Sequence, residues 1–304
     1  MIFVTTFVGI PPAYWVTCLK QIRLFTAASI WCVSDHMDHD VIQKISQISN
    51  SVCIDYKKVK DPEFDKVALE YAHKFSTVNG LVGREQLYLR SIERMFICKN
   101  LMTDFGLNDV FFLEIDNLIY TDPNRFINSF KEKNLAYMLD NVNRASSGVM
   151  YIRDAASLSH LCCRILEYLV IENTYICDMH FLFIYSTEFP DNVQYVPTFP
   201  PSADMPLLMT NGFGKFDTFI FDSVAIGTYM FGLDPYHTGQ VVKRGKDSPW
   251  SWLKASNYTF EMRPDDQGRL CPWIKLKDKT EFPIFNLHIH SKMLEEAKSD
   301  VSDS

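Results

Sequence analysis

The sequence predicts an α/β protein, a single domain with a central, mostly parallel sheet flanked by helices and a smaller C-terminal β-hairpin region. Three observations carry this expectation. Short apolar strands alternate with helix-period segments in the N-terminal half, the pattern of strand–helix–strand units with right-handed crossovers. Val110 to Leu113, followed by Ile115, is a nearly continuous apolar run, as expected of a strand buried on both faces. Tyr258 to Met262 and Leu270 to Leu276, joined by Pro-Asp-Asp-Gln-Gly, read as a hairpin.

Length and composition narrow the function. A chain of 304 residues can bury a full core, and no internal repeat or linker divides it. The net charge of −7 and the absence of a Lys/Arg run argue against a nucleic-acid binder. Eight scattered cysteines without metal-type spacing read as buried reduced thiols of a cytoplasmic protein. The N-terminus lacks the basic region of a signal peptide, and no apolar run reaches the ~18 residues of a membrane anchor. The sequon at Asn257 is then incidental.

In chain order, Ile2 to Phe7 is a first strand, broken by Gly9 and Pro11-Pro12. Trp15, Cys18 and Ile22 recur at helical spacing within a helix from Ala13 to Phe25. Ser29 to Ser34 and Asn50 to Tyr56 are the next strands. A helix begins at Asp61-Pro-Glu and runs to Phe75, with proline in its first turn. A second runs from Arg84 to Phe105 and carries Arg84, Arg90 and Arg94, any of which could be aimed at a phosphate or at carboxylates. Leu135 to Leu139 and Ser146 to Ile152 are strands, the latter entered through small residues that permit close approach. Asp154 to Asn173 is a helix capped by Asp154, and Asp178 opens another. Asn192 to Pro197 is a strand, residues 202–217 form an irregular loop with the character of a substrate lid, and Phe221 to Gly232 is a helix with a glycine stop. Pro283 to Lys292 closes the fold, and 293–304 is a polar, frayed tail.

Two clusters carry chemistry. Glu114 and Asp116, two residues apart at a strand end, project to one side and need a cationic partner. Hard divalent cations take such oxygen ligands and share them with phosphates; a pair of capping or loop carboxylates is the competing reading. His288, His290 and Lys292, spaced by two in an extended segment, point one way and suit a metal or anion site, although strand histidines often belong to the core. Together they would clamp a cation and a diphosphate and stabilise the charge of a departing diphosphate.

The run Asp109-Val-Phe-Phe-Leu-Glu-Ile-Asp-Asn-Leu-Ile-Tyr120 resembles the metal-binding Asp-X-Asp segment of GT-A glycosyltransferases, in a Glu-X-Asp form. Phe221 to Pro235, Phe285 to Lys292, and Asp178-Met followed by Val196 to Pro200 are similar to segments of bacterial and viral members of that superfamily. The resemblance extends from the first strand to Lys292 and implies a GT-A-like domain over 1–292, with a nucleotide-sugar half (about 1–145) and an acceptor half (about 146–292). It implies a UDP-sugar donor, UDP-xylose among the candidates, a glycan or glycoprotein acceptor, and Mn²⁺ or Mg²⁺. By it Asp116 ligates the metal with His288 or His290, Glu114 contacts the donor, Lys292 meets the diphosphate, and Thr5, Thr6, Asp35 and Arg84 serve the nucleotide-sugar. Asp178, then Asp222, are the candidate bases of an inverting reaction, helix capping being the alternative for each; a retaining reaction needs neither. Without an anchor the chain looks like soluble enzymes of bacteria or of large algal DNA viruses that glycosylate their own capsids, placing it in the host cytoplasm if viral. The competing functions are a metal-dependent hydrolase using Asp116 and His288/His290, and a non-catalytic sugar-binding protein.

Overall fold

A computed structural model describes residues 1–71, 85–171, 177–201, 207–210, 212–233 and 244–299. Strands β1 (Ile2–Phe7), β2 (Ile30–Ser34) and β3 (Ser51–Asp55) form where the apolar runs lie. Helix α1 (Tyr14–Phe25) connects the first two and buries Trp15, Cys18, Leu19 and Ile22 at helical spacing. Between β2 and β3 stands α2 (Asp40–Ser46), which the sequence reading does not anticipate. His39 caps it by accepting the Val41 N–H, and at seven residues it is too short to show a period.

Helix α3 (Pro62–Glu70) starts as expected, with proline in its first turn. The carboxylate of Asp61 accepts the Phe64 N–H at 2.9 Å and pairs with Lys99 at 2.5 Å, so one buried cap ties α3 to α4 (Glu85–Phe105). The apolar run from 110 then divides. Val110–Leu113 is β4 and Asn117–Ile119 is β5, and the two belong to different sheets. After them come β6 (Leu135–Asn141), β7 (Arg144–Ile152), α5 (Ala155–Ile171), α6 (Asp178–Glu188), β8 (Val193–Val196), β9 (Ile220–Phe221), α7 (Ala225–Phe231), β10 (Thr259–Pro264), β11 (Leu270–Lys275), β12 (Glu281–His288) and α8 (Leu294–Ala297).

Among the described residues seven strands make the central sheet, in the order β3-β2-β1-β4-β7-β6-β8. Only β7 runs against its neighbours; the other pairings are parallel. The second sheet is antiparallel, β10-β11-β12-β5, with β9 alongside β12. This is the mixed α/β class read from the sequence, with the C-terminal hairpin in place. The two sheets do not divide the chain near residue 145: β7 and β8 complete the first, whereas β5 joins the second.

Other expectations change in detail. The segment from Phe221 begins as a strand, and only Ala225–Phe231 is helical; Gly232 ends it at φ 87°. The candidate lid contains the short helix Leu207–Thr210 and a 3₁₀ turn at Phe213–Phe216, while 202–206 and 211 lie outside the described residues. All eight cysteines are free, but Cys163 is exposed and Cys53 and Cys271 are half-buried, so not every thiol is a core residue. Among the described residues no helix is long and apolar enough to cross a membrane.

The C-terminal segment is docked as far as Ser299. Leu294 and Ala297 are fully buried, the Tyr120 hydroxyl donates to the Ala297 carbonyl at 2.6 Å, and Gln21 receives the Ser299 N–H at 2.9 Å. The polar composition hid two apolar residues three apart, enough to seat one helical turn. Leu294→Ala should therefore cost about 2–5 kcal/mol, read as a lower midpoint in urea unfolding, whereas a frayed tail would leave the midpoint unchanged.

Candidate functional site

The Glu114-Ile-Asp116 segment is the bridge between the sheets. The Glu114 N–H donates to the Gly148 carbonyl of β7 at 3.0 Å, and the Asn117 N–H donates back to the Glu114 carbonyl at 3.0 Å. That turn takes the chain out of β4 and into β5 within three residues. The carboxylates thus converge from a turn, not along a strand edge, and Ile115 is buried. Val4 lies opposite Phe112 in parallel register, so β1 and β4 end on the same edge of the sheet, where α/β folds place ligands.

Register brings in the histidine. His288, the last residue of β12, pairs with Asn117, the first of β5. Its Nε2 lies 3.3 Å from Asp116 Oδ2 and 3.8 Å from Glu114 Oε2. One ligand atom from each of Glu114, Asp116 and His288 falls within a 4.8 Å cluster. The other ring nitrogen, Nδ1, stands 3.1 Å from the Ser223 carbonyl oxygen, which can only accept, so Nδ1 carries a proton and Nε2 is directed at the carboxylates. Burial opposes protonation of His288, but Asp116 and then Glu114 overcome it and raise its pKa to about 9. Burial likewise opposes ionisation of Asp116, and the charges of Lys292 and His288 hold its carboxyl well below the usual range. Lys292 pairs directly with Asp116 from a left-handed backbone, φ 65°, a conformation that costs a non-glycine residue roughly 1 kcal/mol.

His290 is outside the cluster. The strand stops at His288, the chain turns with the His290 N–H on the His288 carbonyl at 3.0 Å, and the two rings lie 6.1 Å apart between centroids. The expectation of an extended segment with three side chains in line gives way to this turn.

Asp222 does structural work. It is 1% exposed, and its carboxylate accepts the backbone N–H groups of His288 (3.0 Å), Ile226 (2.9 Å) and Gly227 (2.7 Å). Burial still pushes its pKa up against those three donors. A base must reach the acceptor's hydroxyl, and this carboxylate is sealed beneath the histidine strand. Gly227 lets α7 come close to that strand: a Cβ there would overlap the His288 carbonyl oxygen and stand 2.7 Å from its carbon. Gly148 is a second close approach, where a Cβ would be 3.2 Å from His288 Nδ1. Gly148 thus serves packing against the histidine, while the Ser147 hydroxyl meets Arg94.

Asp178, the first residue of α6, faces the cluster from the far side. Arg94 joins it to Glu114: its Nη2 lies 2.5 Å from Asp178 Oδ2, 2.7 Å from Glu114 Oε1 and 2.9 Å from Ser147 Oγ. Of the three arginines noted in the sequence, Arg94 is thus aimed at the carboxylates, Arg90 pairs with Glu93, and Arg84 lies outside the described residues. The sequence left open which of the three arginines meets the carboxylates and did not assign Ser223, because both contacts join residues far apart in the chain.

The nucleotide candidates separate. Thr5 is fully buried, accepting from Trp15 Nε1 at 3.0 Å and lying 3.5 Å from Cys32 Sγ, so its hydroxyl fastens β1 to α1 and β2 and is not presented to a ligand. Thr6 is half-buried. Asp35, just past β2, accepts the Gly9 N–H at 2.8 Å and His36 Nδ1 at 2.9 Å. Burial opposes its ionisation, but these bonds prevail and lower its pKa.

The donor set fits a hard or borderline divalent cation. Ligands ~2.1 Å from an octahedral ion lie about 3 Å apart in adjacent positions. The observed spacing of Nε2 to the nearer carboxylate oxygen is 3.3 Å, and Nδ1 is already committed to a carbonyl, as in metal-ligating histidines. Two oxygens and one imidazole suit Mn²⁺ and Zn²⁺, and an oxygen-rich remainder supplied by phosphate or water favours Mn²⁺ or Mg²⁺.

No protein-family model matches the chain, and no curated protein matches it. Among solved structures it is similar to mouse xyloside xylosyltransferase 1 in its apo form, at TM-score 0.43 and 12% identity, over 64% of this chain and 84% of the other. An active-site mutant of LgtC is similar at TM-score 0.47 and 12% identity, over 69% and 82%. The glycosyltransferase GlyE of Streptococcus pneumoniae TIGR4 is similar at TM-score 0.41 and 16% identity, over 64% and 45%. These likenesses are distant, and the chemistry of the site stands on its own residues.

Gly227→Ala should displace His288 and cost about 1–3 kcal/mol or more through overpacking. The check is thermal unfolding together with the Mn²⁺ affinity of the folded variant, both of which should fall; a variant as stable as the parent, with equal affinity, would show that the close approach is relaxed in solution.

Proposed function

We propose that this protein is a metal-dependent glycosyltransferase of GT-A type, moving a sugar from a UDP-sugar to a hydroxyl of a glycan or glycoprotein. The observation that supports it is the convergence of Glu114, Asp116 and His288 on one point of the sheet edge, with Lys292 and Arg94 beside it. Lys292, paired with Asp116 and partly exposed beside the cluster, is a cation suited to a polyanionic leaving group, which favours this reading over a hydrolytic site.

In this reading Asp116, His288 and Glu114 hold Mn²⁺ or Mg²⁺, which when bound neutralises charge on the diphosphate of the departing nucleotide. Lys292, with about a third of its side chain exposed, adds a further positive charge for the diphosphate. Arg94 keeps Glu114 and Asp178 fixed against each other and prevents two carboxylates from repelling across the sugar site. Thr6 and Asp35, at the ends of β1 and β2, are the candidates for contact with the nucleoside. Asp178 is the carboxylate that would take the acceptor proton in an inverting transfer; Asp222 is excluded by its burial. UDP-xylose is the first donor to try.

The test is a thermal shift with UDP, GDP, CMP and dTDP, each with and without Mn²⁺. UDP should stabilise only when metal is present, by about 2.7 kcal/mol at ~100-fold excess over its dissociation constant. Stabilisation by metal alone, with no nucleotide response, would favour a hydrolase; no response to either would favour a sugar-binding module. Asp116→Ala should abolish the Mn²⁺-dependent part of the UDP response while the protein stays folded. His288→Ala should lose far more of that response than His290→Ala, and equal losses would contradict the cluster described above.

A further inference from the structure

The segment 248–255 runs along the tip of the β6–β7 hairpin. Its burial alternates: Ser251, Leu253 and Ala255 point inward, while Trp250 and Trp252 point outward with 40% and 38% of their surfaces exposed. The inward side is fastened by polar contacts. Ser251 Oγ donates to Asp140 Oδ1 at 2.7 Å, the Trp252 N–H donates to the Asp140 carbonyl at 3.2 Å, and Asn141 Nδ2 donates to the Trp250 carbonyl at 2.8 Å.

Asp140 is completely buried and connects this segment to the metal cluster. The same Oδ1 accepts the Ser223 hydroxyl at 3.0 Å, and the Ser223 carbonyl is the group that fixes His288 Nδ1 at 3.1 Å. The two tryptophans are therefore held two residues apart on a hydrogen-bonded anchor that Asp140 and Ser223 connect to His288. Large, partly exposed aromatic rings over a hydrogen-bonded backbone are an arrangement found at binding surfaces. Polar groups interleave with the rings: exposed Lys254 donates to the Ser251 carbonyl at 3.2 Å, and exposed Asn143 follows Asn141 at the hairpin tip. Such a face suits a ligand with an apolar flat side and a hydroxylated edge.

We propose that Trp250 and Trp252 form the platform on which the acceptor oligosaccharide stacks, presenting its hydroxyl to the site. The ligand class is a neutral saccharide, recognised by ring faces against C–H faces and by hydrogen bonds from the polar groups between them. The choice of ligand rests on the glycosyltransferase reading; the anchored aromatic face itself does not.

The full chain is titrated with linear β-1,4-linked glucose, β-1,4-linked xylose and α-1,4-linked glucose oligosaccharides, followed by tryptophan fluorescence. The UDP and Mn²⁺ thermal shift is measured on the same samples. At least one probe should perturb the fluorescence of the parent, and its affinity should fall about tenfold or more in Trp250→Ala and in Trp252→Ala. Trp250→Phe and Trp252→Phe should retain most of it, and all four variants should keep the parent's UDP and Mn²⁺ response. A probe that binds both alanine variants as well as the parent overturns the proposal, as does the absence of any fluorescence change. Self-association that the alanine variants abolish, without a saccharide response, also overturns it and assigns the face to a second copy of the chain. Saccharide binding lost in the alanine variants, in a protein that never responds to UDP and Mn²⁺, upholds the platform and removes the transferase reading.

Discussion

One buried carboxylate holds the functional half of this molecule together. Asp222 sits between β9, α7 and β12, and a charge so placed is tolerable only because three backbone N–H groups surround it. Two of those donors belong to the start of α7 and the third to His288, so the helix and the histidine strand share one anchor. Asn286 adds to it, donating to the Asp222 carbonyl at 3.0 Å and to Asn117 Oδ1 at 2.9 Å. From this anchor follow the register of β12 on β5 and the position of Ser223, whose carbonyl orients the imidazole. The geometry of the Glu114, Asp116 and His288 cluster is inherited from backbone hydrogen bonding at a residue outside it.

Charge explains why the region above that anchor suits a cation and a polyanion together. Glu114, Asp116 and Asp178 bring three carboxylates close, and Arg94 and Lys292 bring two fixed cations. His288 adds a third positive charge when protonated, at the cost of occupying the space where an ion would bind. In the proposed reading a divalent ion held by Glu114, Asp116 and His288 would take the place of that proton and supply the surplus positive charge that a diphosphate would neutralise.

Much of the fold was legible because its determinants are local. Apolar runs marked β1, β2 and β4, Asp61-Pro62 marked a helix start, and Gly268 within a turn marked the hairpin. The division of residues 110–120 between two sheets was not, since an apolar run does not say which partner each half will find. At the site, residue type, spacing and the family resemblance singled out Glu114, Asp116, His288 and Lys292, together with His290. What remained hidden was angular: His290 leaves the line because the chain turns one residue after β12, and Asp222 resembles a base until its three donors are seen. Thr5 misled for the same reason, as a strand-end hydroxyl that proves to be a packing contact with Trp15.

The pairing of β5 with β12 carries a kinetic consequence. Leu118 meets Leu287 and Asn117 meets His288 with more than half of the 304-residue chain between them, so this small ladder closes a long loop. Closure of that size contributes heavily to contact order and belongs among the slower folding events. Until it happens the Glu114–Asp116 turn has neither its strand partner nor its imidazole. In the proposed reading cation affinity would be acquired only once this ladder has closed, and metal uptake by a refolding chain would report that closure.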